Sequence, residues 1–186
     1  MKKYDVIVAD PPWELEKIKR DVRPNQTTMD YKMMTLDEIK ALPVESIASD
    51  KSMLFIWTID KYLYDTPSIV EAWGFNYHVT MAWDKTNGIS LFGFNRRTEF
   101  VVVGLRGKHE VYPERKTIPT SFRARSLQHS QKPDGFYAML DVLEGNRIDL
   151  FARHRHGDMF SKKWDIWGNE VDSDIELEAY ESATRI

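Results

Sequence analysis

The chain has 186 residues and is 42% hydrophobic, which suits one well-packed domain and is short for two. It contains no cysteine, which excludes disulfide bonds and thiolate metal sites. No apolar run has the length of a membrane span, and the first run is too short for a signal-peptide core. We therefore predict a cytoplasmic protein.

Charge is unevenly distributed along the chain, although the formal net charge is only −3. The stretch 95–132 is rich in arginine and lysine. Most of the charged residues among the last twenty or so are acidic. We divide the chain into a single folded domain, residues 1–170, and an acidic C-terminal tail, residues 171–186. The two stretches fit a phosphate-facing surface and a solvated terminus, or two unrelated solvated faces.

Strand-like apolar runs alternate with helical patterns from the N-terminus onwards. The predicted strands are Tyr4–Asp10, Ser52–Trp57, Asn76–Trp83, Glu99–Leu105 and Arg147–Ala152. The predicted helices are Thr35–Leu42, which opens with a capping box, Tyr62–Trp73, and Lys132–Leu143. This alternation predicts an α/β fold with an open, mostly parallel sheet and helices on both faces. In such sheets, functional side chains gather at the carboxyl ends of the strands.

The first strand runs directly into Asp10-Pro11-Pro12-Trp13. The Asp10 carboxylate and the Pro11 carbonyl can accept hydrogen bonds from the exocyclic amine of adenine. They would favour a pyramidal nitrogen with its lone pair aimed at a methyl donor. Pro12 stiffens the turn, and Trp13, which we expect to be exposed, offers a flat face to a flipped-out base. The other interpretation is an ordinary strand-to-loop turn with a surface tryptophan.

Two segments between the predicted elements supply further candidates for substrate binding. The segment 14–34 is long for a compact domain and is typical of a binding loop or lid, in which Tyr31 would close over a base. A surface loop without function is the alternative. After the third strand, Lys85 can neutralise a phosphate, or Asn87 can simply form the turn. These two readings stay open.

The second half of the chain carries candidate contacts to phosphates and to a carboxylate. The arginines that suit a nucleic-acid backbone are Arg96, Arg97, Arg123 and Arg125. Lys132 stands just before a predicted helix, where free backbone N–H groups and its ammonium can hold a carboxylate.

Polar side chains also follow the last predicted strand. Asn169 and Glu170 offer an amide and a carboxylate to a ribose or a purine edge, although a plain turn is the alternative reading. The two histidines nearby alternate with arginines and have no third ligand close in sequence, so we predict no metal site. The candidate residues of this stretch are Asp149, Arg153, His154, Arg155 and His156.

Six motifs in this order resemble the DPPW-type adenine-N6 methyltransferases. That family contains the eukaryotic messenger-RNA adenosine methyltransferase and many bacterial and phage DNA enzymes. The resemblance covers roughly residues 4–170. The motifs are Asp10-Pro11-Pro12-Trp13, Trp83-Asp84-Lys85-Thr86-Asn87, Glu99 with its strand to Gly104, Ser130-Gln131-Lys132-Pro133, Asp149-Leu150-Phe151-Ala152-Arg153 and Trp167-Gly168-Asn169-Glu170.

The resemblance implies a Rossmann-like fold, S-adenosylmethionine as methyl donor, and a role for each matched position. It implies that Asp10 and Pro11 hold the target amine, and that Trp13 and Tyr31 frame the base. Lys85 and Glu99 match positions beside the acceptor pocket. The cofactor contacts that it implies are Lys132 to the methionine carboxylate, Arg153, Asn169 and Glu170 to the ribose and adenine, Arg155 and His156 nearby, and Asp10 and Asp149 as further contacts.

We therefore predict a compact adenine-N6 methyltransferase of the bacterial or phage type acting on a flipped adenine in DNA, with Asp10 as an orienting acceptor. Two alternatives remain: the same chemistry on RNA adenosine, and a non-catalytic nucleic-acid-binding scaffold on the same fold. No separate recognition domain is apparent, which leaves the loops 14–34 and 86–130 or a second subunit to supply specificity. A homodimer is predicted on that ground alone.

Overall fold

A seven-stranded sheet forms the centre of the protein. The computed structural model describes residues 2–15, 33–91, 93–108, 117–125, 132–155 and 163–177, without the side chains of 87–91. The strands are β1 (Tyr4–Ala9), β2 (Ala48–Thr58), β3 (Asn76–Leu91), β4 (Phe94–Arg106), β5 (Ser121–Arg123), β6 (Arg147–Leu150) and β7 (Trp164–Trp167). The helices are α1 (Leu36–Lys40), α2 (Thr66–Ala72) and α3 (Asp134–Leu140), with short 3₁₀ segments at Val44–Ser46 and Asp60–Tyr62.

The strand order is β5-β3-β4-β2-β1-β6-β7. Four pairings are parallel, and only β4 runs against its neighbours β2 and β3. Every strand except β4 therefore ends at the same edge of the sheet, where β4 begins. We call this the carboxyl edge. The predicted open, mostly parallel sheet is confirmed.

Each face of the sheet is covered by helix. Alternate residues of β1 point to opposite faces: Ile7 and Ala9 belong to a core that also contains Ile39 of α1 and Ile69 of α2. Val6 and Val8 belong to the second core, which contains Phe136 and Leu140 of α3. The capping box at Thr35 is present, with its hydroxyl accepting from the Glu38 N–H and the Glu38 carboxylate accepting from the Thr35 N–H. The prediction of helices on both faces is confirmed.

Some element boundaries were predicted wrongly. β3 does not end at Trp83 but continues to Leu91, and β4 begins at Phe94 rather than Glu99, so the two form a long hairpin. A solvated two-stranded ribbon needs no apolar alternation, and its polar residues were therefore read as a turn. The edge strand β7 was not among the predicted strands.

The packed part of the chain extends past Glu170. Leu177 is buried in the first core, and Ile175 packs against the same core. Asp174 accepts a hydrogen bond from the Ile166 N–H at 2.9 Å, which ties this segment to β7. The described part of the domain therefore continues to Leu177.

Candidate active site

Four charged side chains meet at the carboxyl edge, in the order Lys85, Glu99, Lys132 and Asp10; we call them the edge network. Asp10 follows β1, Lys132 precedes α3, and the other two lie on β3 and β4. Lys132 Nζ lies 3.1 Å from Asp10 Oδ1 and 3.2 Å from Glu99 Oε2. Lys85 Nζ lies 3.0 Å from Glu99 Oε1. Cations and carboxylates alternate along the network.

The network is sheltered from water, and this shifts its pKa values. Burial lowers the pKa of Lys132, but the carboxylates of Asp10 and Glu99 outweigh that effect and raise it above its ordinary value. Burial raises the pKa of Glu99, but Lys132 and Lys85 together outweigh burial and bring it below its ordinary value. At neutral pH Lys132 and Glu99 are therefore charged.

Asp10 behaves differently from Glu99, because it has one cation as a partner instead of two. Burial raises the pKa of the Asp10 carboxyl, and Lys132 opposes this shift only in part. Among the described residues, Oδ2 of Asp10 has no hydrogen-bond partner. A carboxylate with a raised pKa and an open oxygen is a good hydrogen-bond acceptor.

Pro11 follows Asp10 directly in sequence, and its carbonyl oxygen already accepts one hydrogen bond. It accepts a hydrogen bond from the Trp13 N–H at 2.8 Å, and the Pro12 carbonyl accepts one from the Met34 N–H at 2.9 Å. A carbonyl oxygen has two lone pairs, so Pro11 retains one for a further donor. Backbone hydrogen bonds from Trp13 and Met34 thus hold the turn in place.

The expectation that Trp13 is exposed was wrong. Only 6% of this residue is exposed, and its ring stacks on Tyr62 at 4.9 Å between centroids. Its Nε1 donates a hydrogen bond to the Trp57 carbonyl at 3.2 Å. Burial of the large apolar ring against the first core is more favourable in free energy than its exposure to water. Trp13 therefore anchors the turn to β2. Its role in framing a base stays a prediction.

Aromatic rings and a buried carboxylate lie close to the edge network. The Lys132 ammonium lies 5.0 Å from the centroid of the Trp57 ring, within cation–π range. Beside it the Tyr137 hydroxyl donates to Asp149 Oδ2 at 3.0 Å. Burial, and then the Asp149 charge, raise the pKa of Tyr137 well above its ordinary value. The Tyr137 hydroxyl therefore stays protonated and acts as a donor.

The ends of β6 and β7 form a second wall of the site. The Ala152 N–H donates to the Trp167 carbonyl at 3.0 Å. A Cβ on Gly168 would lie 2.2 Å from the Ala152 oxygen, so only glycine permits this approach. Phe151 has a φ of 64°, in the left-handed region that branched or bulky residues rarely adopt. The backbone there is fixed by contacts on both sides.

A family model described as MT-A70 matches residues 4–170. The Type II methyltransferase M.MunI of a Mycoplasma species is 33% identical, over 95% of this chain and 82% of its own length. The human N(6)-adenosine-methyltransferase catalytic subunit METTL3 is 26% identical, and the human N(6)-adenine-specific methyltransferase METTL4 is 25% identical. Each covers 91% of this chain, which spans 28% and 38% of those two relatives.

The chain belongs to the MT-A70 family.

Membership of the MT-A70 family confirms the predicted family, the methyltransferase fold and the enzyme class, an adenine-N6 methyltransferase. The predicted site residues are then located by the structure alone. Arg153 Nε lies 3.9 Å from Glu170 Oε1, across the gap between the ends of β6 and β7. Asn169 and Glu170 are exposed at the end of β7. Arg153 and Glu170 therefore lie close together, and the contacts of these three residues to the ribose and adenine stay predictions.

Arg155 is held elsewhere in this MT-A70 domain. It forms two hydrogen bonds to the Asp174 carboxylate, at 2.8 and 3.1 Å, and one to the Asp172 carbonyl at 3.0 Å. The guanidinium therefore fastens the segment after β7 to the end of β6. Its predicted proximity to the cofactor stays a prediction, because this second, structural task already occupies it.

The predicted phosphate contacts of the MT-A70 domain fall into a separate group. Arg97 Nη2 and Arg123 Nη2 each lie 2.9 Å from Asp84 Oδ2; we call these three residues the Asp84 cluster. Arg96 Nη1 lies 4.0 Å from the exposed Asp60 carboxylate. Arg125 is exposed. Lys85 does not join them, because it points to Glu99.

Three predicted residues lie beyond what can be described. Tyr31 and His156 are outside the described residues, and Asn87 is described only as backbone of β3. Within the described residues, no group of three or more His, Asp or Glu side chains is arranged to hold a metal ion. In that same part of the chain, no helix is long and apolar enough to cross a membrane.

Sequence reasoning missed three aromatic residues of the site. Trp57 lies under Lys132, Tyr137 faces Asp149, and Tyr62 covers Trp13 and donates to the Glu14 carbonyl at 2.5 Å. Trp57 carried a usable signal, because it ends an apolar strand that leads to the carboxyl edge. Tyr62 and Tyr137 carried none, since aromatic residues on short helices are usually core residues.

Proposed function

We propose that this chain is a site-specific DNA adenine-N6 methyltransferase that uses S-adenosylmethionine. The observation that carries the proposal is the pair of acceptors at the end of β1. Asp10 has one oxygen held by Lys132 and the other without a described partner, and Pro11 retains a lone pair on its carbonyl. Two acceptors can take the two N–H groups of an exocyclic amine and orient its lone pair.

The residues present fit S-adenosylmethionine by their chemistry. Lys132 is a cation suited to the methionine carboxylate, and Asp149 is a carboxylate suited to its ammonium group. Arg153, close to Glu170, is suited to the ribose and adenine. Glu170 and Asn169 suit ribose hydroxyls and the adenine edge. When bound, the cofactor supplies the methyl group that the amine receives.

The chain's own residues contribute positioning and electrostatics. Asp10 and Pro11 orient the amine, and the Trp13 anchor fixes their turn to β2. The Asp10 carboxylate, with its raised pKa, accepts one amine N–H more strongly than an exposed carboxylate would. Lys132 holds one oxygen of Asp10 in place and is itself held by Glu99. The positive and negative charges of the edge network thus offset each other.

DNA is proposed as the acceptor because the Mycoplasma relative is a Type II methyltransferase and matches nearly the whole of this chain. The eukaryotic relatives named for adenosine match at lower identity and over a small share of their own length. RNA adenosine is therefore the outcome to test against. A non-catalytic scaffold is disfavoured by the intact acceptor pair and edge network.

The test is transfer of labelled methyl from S-adenosylmethionine to duplex DNA, single-stranded DNA and RNA, followed by nucleoside analysis. N6-methyladenine in DNA that falls by about a hundredfold or more in Asp10→Asn is the expected result. Asp5→Asn is the matched control, since Asp5 lies on the same strand at the opposite edge and binds the Asn146 N–H. Label in RNA alone would overturn the acceptor, and full transfer by Asp10→Asn would overturn the mechanism.

A further inference from the structure

The β3–β4 hairpin projects past the rest of the sheet; we call its residues 85–91 and 93–98 the arm. β2 pairs with β4 only as far as Phe100, and β5 pairs with β3 only as far as Asp84. In the described part of the chain, no other strand pairs with the arm. Phe94 lies six residue steps from Phe100, so the tip of the arm is about 20 Å from the last residue of β4 that pairs with β2. It extends on the side where substrate must enter.

The end of the arm exposes an aromatic ring. Phe94 is 74% exposed, next to Gly93 in the left-handed conformation that the turn requires. A phenylalanine ring that stays in water lacks the hydrophobic stabilisation that burial would give it. In the described part of the chain, neither hydrophobic core includes it. The tip is therefore suited to contact with something outside the chain.

The base of the arm carries an unbalanced positive charge. In the Asp84 cluster, two guanidinium groups share one carboxylate, which leaves one positive charge over. Arg96 on the arm is 59% exposed in its side chain, and Arg123 is 69% exposed. Among the described residues, the acidic partner of Arg96 is the solvated Asp60 carboxylate at 4.0 Å. Exposed cations at this position suit phosphate oxygens.

We propose that the arm enters the major groove of the DNA beside the target adenine, with Phe94 against base edges and Arg96 and Arg123 on the backbone; this rests on the proposed function. The major groove is about 12 Å wide and 8.5 Å deep and admits a two-stranded ribbon. An apolar side chain there distinguishes thymine by its methyl group, whereas phosphate contacts carry no sequence information. The arm thus supplies specificity without a separate recognition domain.

Charge favours DNA over a second copy of the chain. The two open edges of the arm are capable of pairing with another strand. A symmetric contact between two arms, however, would bring two copies of the same positively charged surface together. Like charges at such a contact are costly, whereas DNA offers the opposite charge along its whole length.

The test compares Phe94→Ala, Arg96→Ala and the control Tyr77→Ala in the full chain. Tyr77 is another exposed aromatic residue of the same hairpin, 50% exposed, at the end opposite to the arm. Binding to a duplex is measured over a range of salt concentrations, and methylation is sequenced on a library randomised around adenine. Thermal unfolding and S-adenosylmethionine binding confirm that each variant is folded.

We expect Phe94→Ala to relax preference at one or more flanking base pairs by on the order of tenfold, with an unchanged salt dependence. Arg96→Ala should weaken binding to all sequences alike and reduce the slope of log K against log salt by about one. Tyr77→Ala should change neither. These outcomes together would support the arm as a DNA contact.

Wild-type preference, affinity and salt slope in both arm variants would overturn the proposal. So would a dimer in sedimentation that Phe94→Ala converts to a monomer, because the arm would then join two copies. The proposed function fails separately, if the wild-type chain transfers no methyl group to DNA. In that case the proposal for the arm is tested by duplex binding alone. Equal binding by the wild type and the arm variants would overturn this proposal.

Discussion

The edge network and the Asp84 cluster are built from the same chemistry in different surroundings. Both join lysine or arginine to carboxylates, at 3.0 to 3.2 Å in the network and 2.9 Å in the cluster. The side chain of Lys132 is 12% exposed, whereas that of Arg123 is 69% exposed. Distance alone therefore does not distinguish an ion pair that organises a site from one that waits for a ligand.

The two regions also differ in how their charges are balanced. In the edge network two cations alternate with two carboxylates, and each ammonium is close to a carboxylate. In the Asp84 cluster two cations compete for one carboxylate. Buried charges need partners because water cannot compensate them, whereas exposed charges can be left in surplus. The network is suited to holding atoms in place, and the cluster to meeting an external anion.

The largest expected effect is that of Lys132→Met. Removing this ammonium leaves Asp10 without its described partner and Glu99 with Lys85 only, both sheltered from water. We expect the free energy of unfolding in urea to fall by about 3–5 kcal/mol, and methyl transfer to be lost. Urea denaturation at neutral pH measures it.

Arg123→Met is the matched control for that experiment, since it removes a long cation from the Asp84 cluster and leaves Arg97 on the same carboxylate. We expect no change in urea denaturation beyond experimental error. Equal losses in the two variants would show that burial does not separate the two regions.

A smaller effect is expected in the acid dependence of stability. The folded pKa of Glu99 lies below its ordinary value, so the unfolded chain binds this proton more tightly. The stabilisation from Glu99 is therefore present above its unfolded pKa of about 4.3 and is lost as the pH falls through the lower, folded value. The net shift of Asp10 has the opposite sign, because burial outweighs the effect of Lys132 and its folded pKa is raised.

Glu99→Gln isolates this contribution. We expect the variant to be less stable than wild type at pH 7, and the difference to shrink as the pH falls from 5 to 3. Urea denaturation at a series of pH values measures it. A difference that stays constant across this range would mean that Glu99 has no shifted pKa in the folded protein.

How much of this could be foreseen differs between the two regions. The sequence identified Asp10 as a site residue because it follows a strand of a parallel sheet, whose strand ends come together. It identified Lys132 because that residue precedes a predicted helix. It did not predict that Lys132 would bind both Asp10 and Glu99. That depends on β4 lying antiparallel between β2 and β3, which is a tertiary choice with no local pattern.

The arm was missed for a related physical reason. Sequence periodicity reports burial, and a ribbon with solvent around it has no buried face to report. Asp84 and Asn87 favour turns in most contexts, but here the backbone of β3 continues through them with an irregular register between Asp84 and Ile89. Trp13 was misjudged in the opposite sense, since its neighbours Pro12 and Glu14 gave no sign of the ring of Tyr62 that covers it.

The smallest expected effect is on the salt dependence of individual pKa values. The Thr86 N–H, and then Arg97 and Arg123, bring the pKa of Asp84 below its ordinary value. Salt at 1 M reduces the screening length to about 3 Å, which weakens the two exposed arginine contacts but not the short backbone hydrogen bond. We therefore expect the pKa of Asp84 to rise only partway towards its ordinary value. Carboxyl NMR titrations at low and high salt measure this shift.

Glu99 serves as the internal reference in the same titrations. Its two ammonium partners are sheltered from mobile ions, so its pKa should move less than that of Asp84. Replacing both Arg97 and Arg123 with Gln should remove the salt response of Asp84 and leave that of Glu99 unchanged. If Glu99 instead moved as far as Asp84, ions would have access to the edge network. Asp10 would then be solvated, and its raised pKa could not contribute to orienting the amine.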